Sequence, residues 1–481
     1  MELPRAAIDR PLSYHGLYER PGAPAEVSLA SVAELLRCSL GLSAWKSVRE
    51  SRWALRVNPS SGNLHPTEGY VVWDGGVYHY APEAHALERR AVVDRSTWDA
   101  WSDRAVLVGL TSIHWREAWK YGERAFRYCQ HDLGHAIAAV RFAASLLGWR
   151  MALLPNWSDA DVAALLGIDR DDDAADAERE VPGCLAVVTP GDPAAILDRS
   201  PAALLSGLAF SRWQGVANTL SAGHLDWPII DNITAATVYP GAPPRRPPME
   251  TAAAVGPASA APTVDAPSAR AVILRRRSAV AFDPRAGLRR DVFMRMLRRL
   301  RPTAPPWDAV DWPVAVQLVL FVHRVEGLTP GIYAFLRDPS AEAELRGAMR
   351  AEFVWDSVED LRLLVPTDVT WVANRLSCDQ DIAGEGFFSL GMLARFEATL
   401  AGGDWAYRRL FWECGVIGQI LYLEAEAAGV RGTGIGCFYD DAVHDTLGLS
   451  GHAWQSLYHF CVGEPIEDSR LETAPGYEWE G

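Results

Sequence analysis

The sequence predicts an α+β protein made of two copies of one unit in tandem, and three observations predict it. Residues 124 to 167 align without a gap on residues 405 to 448, 281 positions further on. Each copy is preceded by a stretch that reads as a β-hairpin with a Gly-containing turn, YVVWDGGVYHY at 70 to 80 and QLVLFVHRVEGLTPGIYAF at 317 to 335. Residues 239 to 268 are dense in Pro, Ala and Gly with almost no large apolar side chain. Such a composition cannot bury enough surface to fold and reads as a linker. The expected domains are therefore 1–238 and 269–481, joined by 239–268.

Within the repeat, Ala125/Ala406, Arg127/Arg408, Gly134/Gly415, Gly148/Gly429, Asp159/Asp440 and Gly167/Gly448 are among the identical pairs. Each copy predicts a long apolar helix stopped by Gly148 or Gly429, a short strand or turn, and a second helix opened by Ser158-Asp159 or Tyr439-Asp440. The segment RRDVFMRMLRRLR at 289 to 301 reads as an amphipathic helix with a basic outer face. A fused pair of this kind reproduces a two-fold homodimer inside one chain, complete as a monomer or able to pair again. A site lying at the former dimer interface then needs both halves.

Composition narrows the function. The 481 residues suffice for two to four domains, and 49% hydrophobic with 22% charged residues is ordinary for a globular chain. A net charge of −15 repels phosphate backbones and argues against a nucleic-acid binder. No apolar run is long enough to span a membrane and the start does not read as an export signal. Seven scattered cysteines without a Cys-x-x-Cys pair suggest neither a disulfide framework nor a thiolate zinc site, so a reducing cytoplasm is the expected home.

The halves differ where chemistry is expected. The second opens with Arg275-Arg276-Arg277-Ser278, a cationic cluster with a hydroxyl suited to gripping a phosphate. The first carries Asn58-Pro59-Ser60-Ser61-Gly62-Asn63 directly before a strand, a small-residue loop able to lie against a flat polar ligand. The second half has PTAPPWDAVDWPV there instead. Gly432-Thr433-Gly434-Ile435-Gly436-Cys437 aligns on the glycine-free Met151 to Asn156. Each motif survives once, which implies one composite site per chain.

The Arg-Arg-Ser-x-x-x-Phe-Asp, Pro-Ser-Ser-Gly-Asn-x-x-Pro and Gly-Ile-Gly-x-Phe-Tyr-Asp-Asp motifs together resemble the nitroreductase superfamily, specifically its SagB-type, azoline-oxidising dehydrogenase branch. The resemblance implies two tandem nitroreductase-like domains, each a mostly antiparallel sheet flanked by helices, forming an intrachain pseudo-dimer with FMN. It implies that Arg276 and Ser278 hold the FMN phosphate and ribityl chain with Arg275 or Arg277 in support. Pro59, Ser60, Ser61 and Asn63 would border the isoalloxazine, and the Gly436-Cys437 turn would give a backbone N–H to flavin N5. Cys437 replaces the family's more usual glycine, which narrows the backbone angles of that turn. Arg470 resembles a C-terminal basic residue for the phosphate, and Gln380 a further flavin contact.

The activity implied is hydride transfer between an organic substrate and flavin N5, the substrate being a small molecule or peptide, such as a peptide-borne azoline or a natural-product intermediate. The alternatives are an NAD(P)H-dependent nitroreductase-type reductase and a non-catalytic FMN-binding scaffold. Tyr128 and His131 are the expected proton donors, because the aligned Arg409 and Trp412 are chemically different. His131 and His135 have the spacing of a metal pair but no third ligand, so no metal is expected. Gly-x-Gly-x-Gly at 432 to 436 is not the Rossmann fingerprint, and neither Gly-x-Ser-x-Gly nor a P-loop occurs.

Overall fold

A computed structural model describes residues 1–480 except 9, 20, 21, 103, 175, 176 and 243–265. Most of the expected linker, 239–268, thus lies outside the described residues. The chain forms two compact units, the first comprising Met1–Leu274, Thr303–Pro313 and Glu472–Gly481, the second Arg275–Pro302 and Val314–Leu471.

The first unit has a small sheet of β1 (Leu42–Val48) and β2 (Ser51–Arg56). Its main sheet contains β3 (Thr67–Trp73), β4 (Gly76–Ala81), β5 (Ala86–Val92), β6 (Val106–Ser112), β7 (Arg150–Leu153) and β8 (Val181–Thr189) in the order β5-β4-β3-β6-β8-β7, every pair antiparallel. The expected hairpin is β3–β4, closed by Asp74 and Gly75, both at positive φ (51° and 76°), the backbone a two-residue primed turn requires. The 22-residue helix Ala125–Leu146 joins β6 to β7 and is buried almost throughout. Helix Asp159–Leu166 starts with a capping box between Ser158 and Asp161 and ends at left-handed Gly167.

Two segments distant in sequence complete this unit. Glu472–Pro475 pairs antiparallel with β1, with Trp45 opposite Ala474. In Thr303–Pro313, Asp308 forms a bidentate ion pair with the fully buried Arg141 at 2.7–2.9 Å. Both ends of the expected linker are anchored as well: Tyr239 donates its hydroxyl to Pro155 O at 2.6 Å, and Tyr14 N donates to Pro267 O at 2.8 Å.

The second unit repeats the plan. Strands β9 (Val316–Val322), β10 (Gly331–Phe335), β11 (Asp356–Val358), β12 (Leu361–Pro366), β13 (Phe388–Arg395), β14 (Arg431–Ile435) and β15 (Trp454–Gly463) order as β11-β12-β10-β9-β13-β15-β14, all antiparallel. Helix Ala406–Ala427 joins β13 to β14 as Ala125–Leu146 joins β6 to β7, and helix Asp440–Leu447 follows β14. Both ends of the long helix and both ends of the short one lie 281 residues from their first-unit counterparts. The glycine stops agree too, with Gly148 and Gly429 at φ 69° and 77°.

One expected detail changes. Tyr439 sits at the N-cap without capping through its side chain, and its hydroxyl donates to Asp379 instead. Helix Arg290–Arg299 is the amphipathic element expected at 289 to 301. Phe293, Met294, Met296 and Leu297 are buried, while Arg295 and Arg299 pair with Glu424 and Arg298 pairs with Asp360 and Glu359.

Candidate functional site

In the second unit, the arginine-serine motif and the glycine turn are 154 residues apart in sequence and meet in space. Ser278 bridges Gly432, Ala279 N donates to Thr433 Oγ1 at 3.1 Å, and Thr433 Oγ1 donates to Ala279 O at 2.7 Å. The buried Tyr422, on the long helix, joins the two motifs. Its hydroxyl lies 2.9 Å from Ser278 Oγ and accepts from Gly434 N at 2.9 Å. The Arg276 guanidinium stacks 5.0 Å over the Tyr422 ring and is 4% exposed. Arg275 points outward, 63% exposed, with its nearest acid, Glu426, at 3.8 Å, while Arg277 Nη1 donates to Arg276 O.

These residues suit the phosphate end of FMN. Arg275 offers an exposed guanidinium and Ser278, three residues on, a hydroxyl, the cation and donor that a phosphate monoester needs. The glycines of the turn also have a reason within the sheet. A Cβ at Gly432 would meet the Phe460 ring at 2.6 Å, and one at Gly434 the Tyr458 hydroxyl at 1.9 Å. Gln380 joins this end of the unit, its amide donating to Ser377 O at 2.8 Å and lying 3.5 Å from Cys437 O. Gly436 and Cys437 follow β14 directly. Arg470 stands apart from that cluster's hydrogen bonds, 80% exposed and chelated by Asp468 at 2.7–2.9 Å.

The cysteines depart from the expected absence of a disulfide framework. Cys378 and Cys437 are disulfide-bonded, with Cα atoms 5.8 Å apart. Their separation of 59 residues carries no spacing signal. The pair arises because the turn after helix Thr370–Leu376 folds against the turn after β14, a tertiary contact that no local pattern announces.

The first-unit loop rests on two buried acids. Asp132, on the long helix, accepts from Ser61 N and Ser61 Oγ at 3.1–3.2 Å, and Ser60 Oγ lies 3.5 Å from Glu117 Oε1. Glu117 is fully buried and its Oε2 has no hydrogen-bond partner among the described residues. Burial raises the pKa of both acids. The Asp132 charge raises Glu117 further, against Lys120, whereas the serine hydrogen bonds pull Asp132 down. The two carboxyls hold a proton beneath the loop at pH values where ordinary carboxylates have lost theirs.

The equivalent position in the second unit is Glu413, and its use differs. It accepts from Ala315 N and Val316 N, as Asp132 accepts from Ser61 N, but its partner is the Arg337 guanidinium rather than a second acid. A structural ion pair in one copy is thus a pair of carboxyls in the other.

Gly62 has φ +57°, and a Cβ there would meet the Tyr121 hydroxyl at 2.3 Å and Lys120 Nζ at 3.0 Å. The polar ends of Lys120 and Tyr121 therefore lie over the loop. Pro59 is buried, and Asn63 turns inward, donating to Ala54 O and meeting His65 Nε2 at 2.9 Å. Tyr128 packs edge-on against Tyr121 at 4.8 Å, and His131 is 1% exposed within the long helix.

Sequence reasoning missed Glu117, Lys120, Tyr121 and Asp132. Seven residues further upstream the same offset sets three of them against Ala398, Ala401 and Gly402 in the second half.

The family model described as Nitroreductase family matches residues 273–464. No curated protein matches the chain. Among solved structures, a nitroreductase-type protein of Anabaena variabilis has a TM-score of 0.67 at 19% identity, covering 97% of this chain and 94% of its own. The Escherichia coli microcin synthetase complex gives a TM-score of 0.28 at 18% identity over 39% of this chain and 71% of its own. Among the described residues, no helix is long and apolar enough to cross a membrane. The chain shares its fold with the Anabaena variabilis protein, and its residues 273–464 match the Nitroreductase family model.

Proposed function

We propose that this chain is an FMN-dependent oxidoreductase of the SagB-type dehydrogenase kind, two nitroreductase-like domains (1–238 and 269–481) fused in tandem and carrying one flavin. The observation that supports it most is the Tyr422 hydroxyl, which joins Ser278 of the phosphate-gripping motif to Gly434 of the glycine turn. Bound FMN would supply a two-electron acceptor at N5. Arg275, Arg276, Arg277 and Ser278 are assigned to its phosphate and ribityl chain, with Arg470 as a further cation. The backbone at Gly436-Cys437 is assigned to N5, with Gln380 beside it, and Pro59, Ser60, Ser61 and Asn63 to the ring.

Around the ring-bordering loop, Glu117 and Asp132 hold a proton against Ser60 and Ser61. Lys120 Nζ and the Tyr121 hydroxyl are assigned to proton exchange with the substrate, with Tyr128 backing Tyr121. Tyr128 and His131 are assigned as proton donors, and unchanged turnover of His131→Ala with intact FMN would remove His131 from that role.

The substrate class proposed is a peptide-borne azoline or related natural-product intermediate, with oxygen as the final acceptor. Reduction of an acceptor with NAD(P)H is the second reading, since motif content is compatible with either direction. Anaerobic mixing distinguishes them. Bleaching of the flavin by an azoline peptide, with no bleaching by NADH or NADPH, supports the dehydrogenase, and the reverse pattern supports the reductase.

A further inference from the structure

The Cys378–Cys437 bond differs from every other cysteine of the chain in its setting. Cys38, Cys129, Cys184, Cys414 and Cys461 are buried thiols, whereas Cys437 is exposed and Cys378 half-buried. Cys378 and Asp379 are consecutive non-glycine residues in the left-handed region, at φ 58° and 56°, a turn held against its own backbone preference.

The two turns are also joined by contacts that do not need the bond. Tyr439 N donates to Leu376 O at 3.0 Å, and the Tyr439 hydroxyl donates to Asp379 Oδ2 at 3.0 Å. Arg375 pairs with Asp379 at 2.8 Å and lies 4.9 Å over the Tyr439 ring. With the sulfurs apart, these contacts still hold the cysteines near each other, so the bond can re-form.

We propose that Cys378 and Cys437 are a redox-active pair, a site of reversible thiol–disulfide exchange with an external dithiol, which ties and frees the turn after β14. A thiolate of the dithiol attacks Sγ of the exposed residue Cys437, the Cys378–Cys437 bond breaks, and Cys378 leaves as thiolate. The dithiol's second thiol then attacks its own sulfur in the mixed disulfide, releasing Cys437 and a cyclic disulfide. Two electrons and two protons pass to the cysteine pair, and the dithiol is oxidised by the same amount. Oxidised, the turn is tied to Cys378; reduced, it is held by hydrogen bonds and one ion pair alone. The consequence for catalysis rests on the assignment of Gly436-Cys437 to flavin N5, whereas the exchange itself does not.

The test uses the full chain in native buffers poised with reduced and oxidised dithiothreitol, quenched with iodoacetamide and mapped as peptides. The expected result is a linked Cys378–Cys437 peptide that disappears as two alkylated cysteines appear and returns on reoxidation, the five buried thiols staying unlabelled throughout. Free thiols at both positions in air-equilibrated protein would overturn the proposal. So would a linked peptide that yields to reductant only after denaturation. Cys378→Ser should abolish the linked peptide and leave Cys437 alkylated at every poise; if that variant does not fold, the wild-type titration decides alone. Flavin absorbance recorded on the same samples separates the two readings. A colourless protein with a reversible pair sinks the flavin assignment only, and a yellow protein with an inert pair sinks only this proposal.

Discussion

Ser278 and Tyr422 meet hydroxyl to hydroxyl at 2.9 Å across 144 residues of chain, and the same Tyr422 oxygen accepts the Gly434 amide. One phenol thus fixes the spacing between the arginine-serine motif and the glycine turn. Tyr422→Phe keeps the ring under Arg276 but leaves Gly434 N–H without its acceptor, a loss of about 1–3 kcal/mol. The expected outcome is a lower melting temperature and FMN binding weakened by about tenfold, equivalent to about 1.4 kcal/mol. Thermal melts and flavin titration check both.

The buried acid pair predicts a pH dependence. Both pKa values are raised, so the folded first unit keeps protons that the unfolded chain releases above about pH 4. Its stability is complete below that value and falls as pH rises through the raised pKa values. Glu117→Gln is neutral at every pH and should flatten this fall, gaining on the wild type above neutrality. Denaturant midpoints from pH 5 to 9 measure it, and an unchanged slope would show that the pair is not protonated.

His79 predicts a second window in the same unit. It lines a cavity of about 270 Å³ together with Glu68, Tyr70, Arg116 and Glu180. Burial alone would lower its pKa, but hydrogen bonds to Glu68 and Glu88 at 2.7–2.8 Å outweigh this and push it up to about 9. Its charged form stabilises the fold fully below about pH 6.5. That contribution is lost as pH rises through about 9. His79→Gln should therefore cost stability at pH 6 and almost none at pH 10, read as the difference in melting temperature.

Gly62 predicts a separation of turnover from cofactor binding. Alanine there carries a left-handed backbone cost of about 1 kcal/mol. Its Cβ would also push aside the Tyr121 hydroxyl and Lys120 Nζ. Gly62→Ala should lower kcat by about tenfold or more through misplacement of those groups. FMN content should be unchanged, which spectra and steady-state kinetics on the same preparation test together.

The repeat was legible because it is local. Residues at fixed offset, a glycine stop and an Asp-Gly turn are read along the chain, and the long helices end where that offset requires. Features made by distant segments were not legible. Glu472–Pro475 pairs with β1, and Asp308 with Arg141, through contacts whose partners lie at least 167 residues away. Glu117 carries no local signal in the sequence, and only its burial beside Asp132 sets it apart. Cys378 and Cys437 became a pair only once two turns were folded together.

The visible spectrum of the purified chain, with released FMN quantified against protein, tests the central proposal most directly. About one FMN per chain is predicted, since each motif assigned to the flavin occurs once in the sequence. Arg275→Glu, a charge reversal at an exposed side chain, should lose the colour while melting as the wild type does. A colourless wild-type protein that also fails to take up added FMN would contradict the assignment, and two flavins per chain would contradict the division of motifs between the halves.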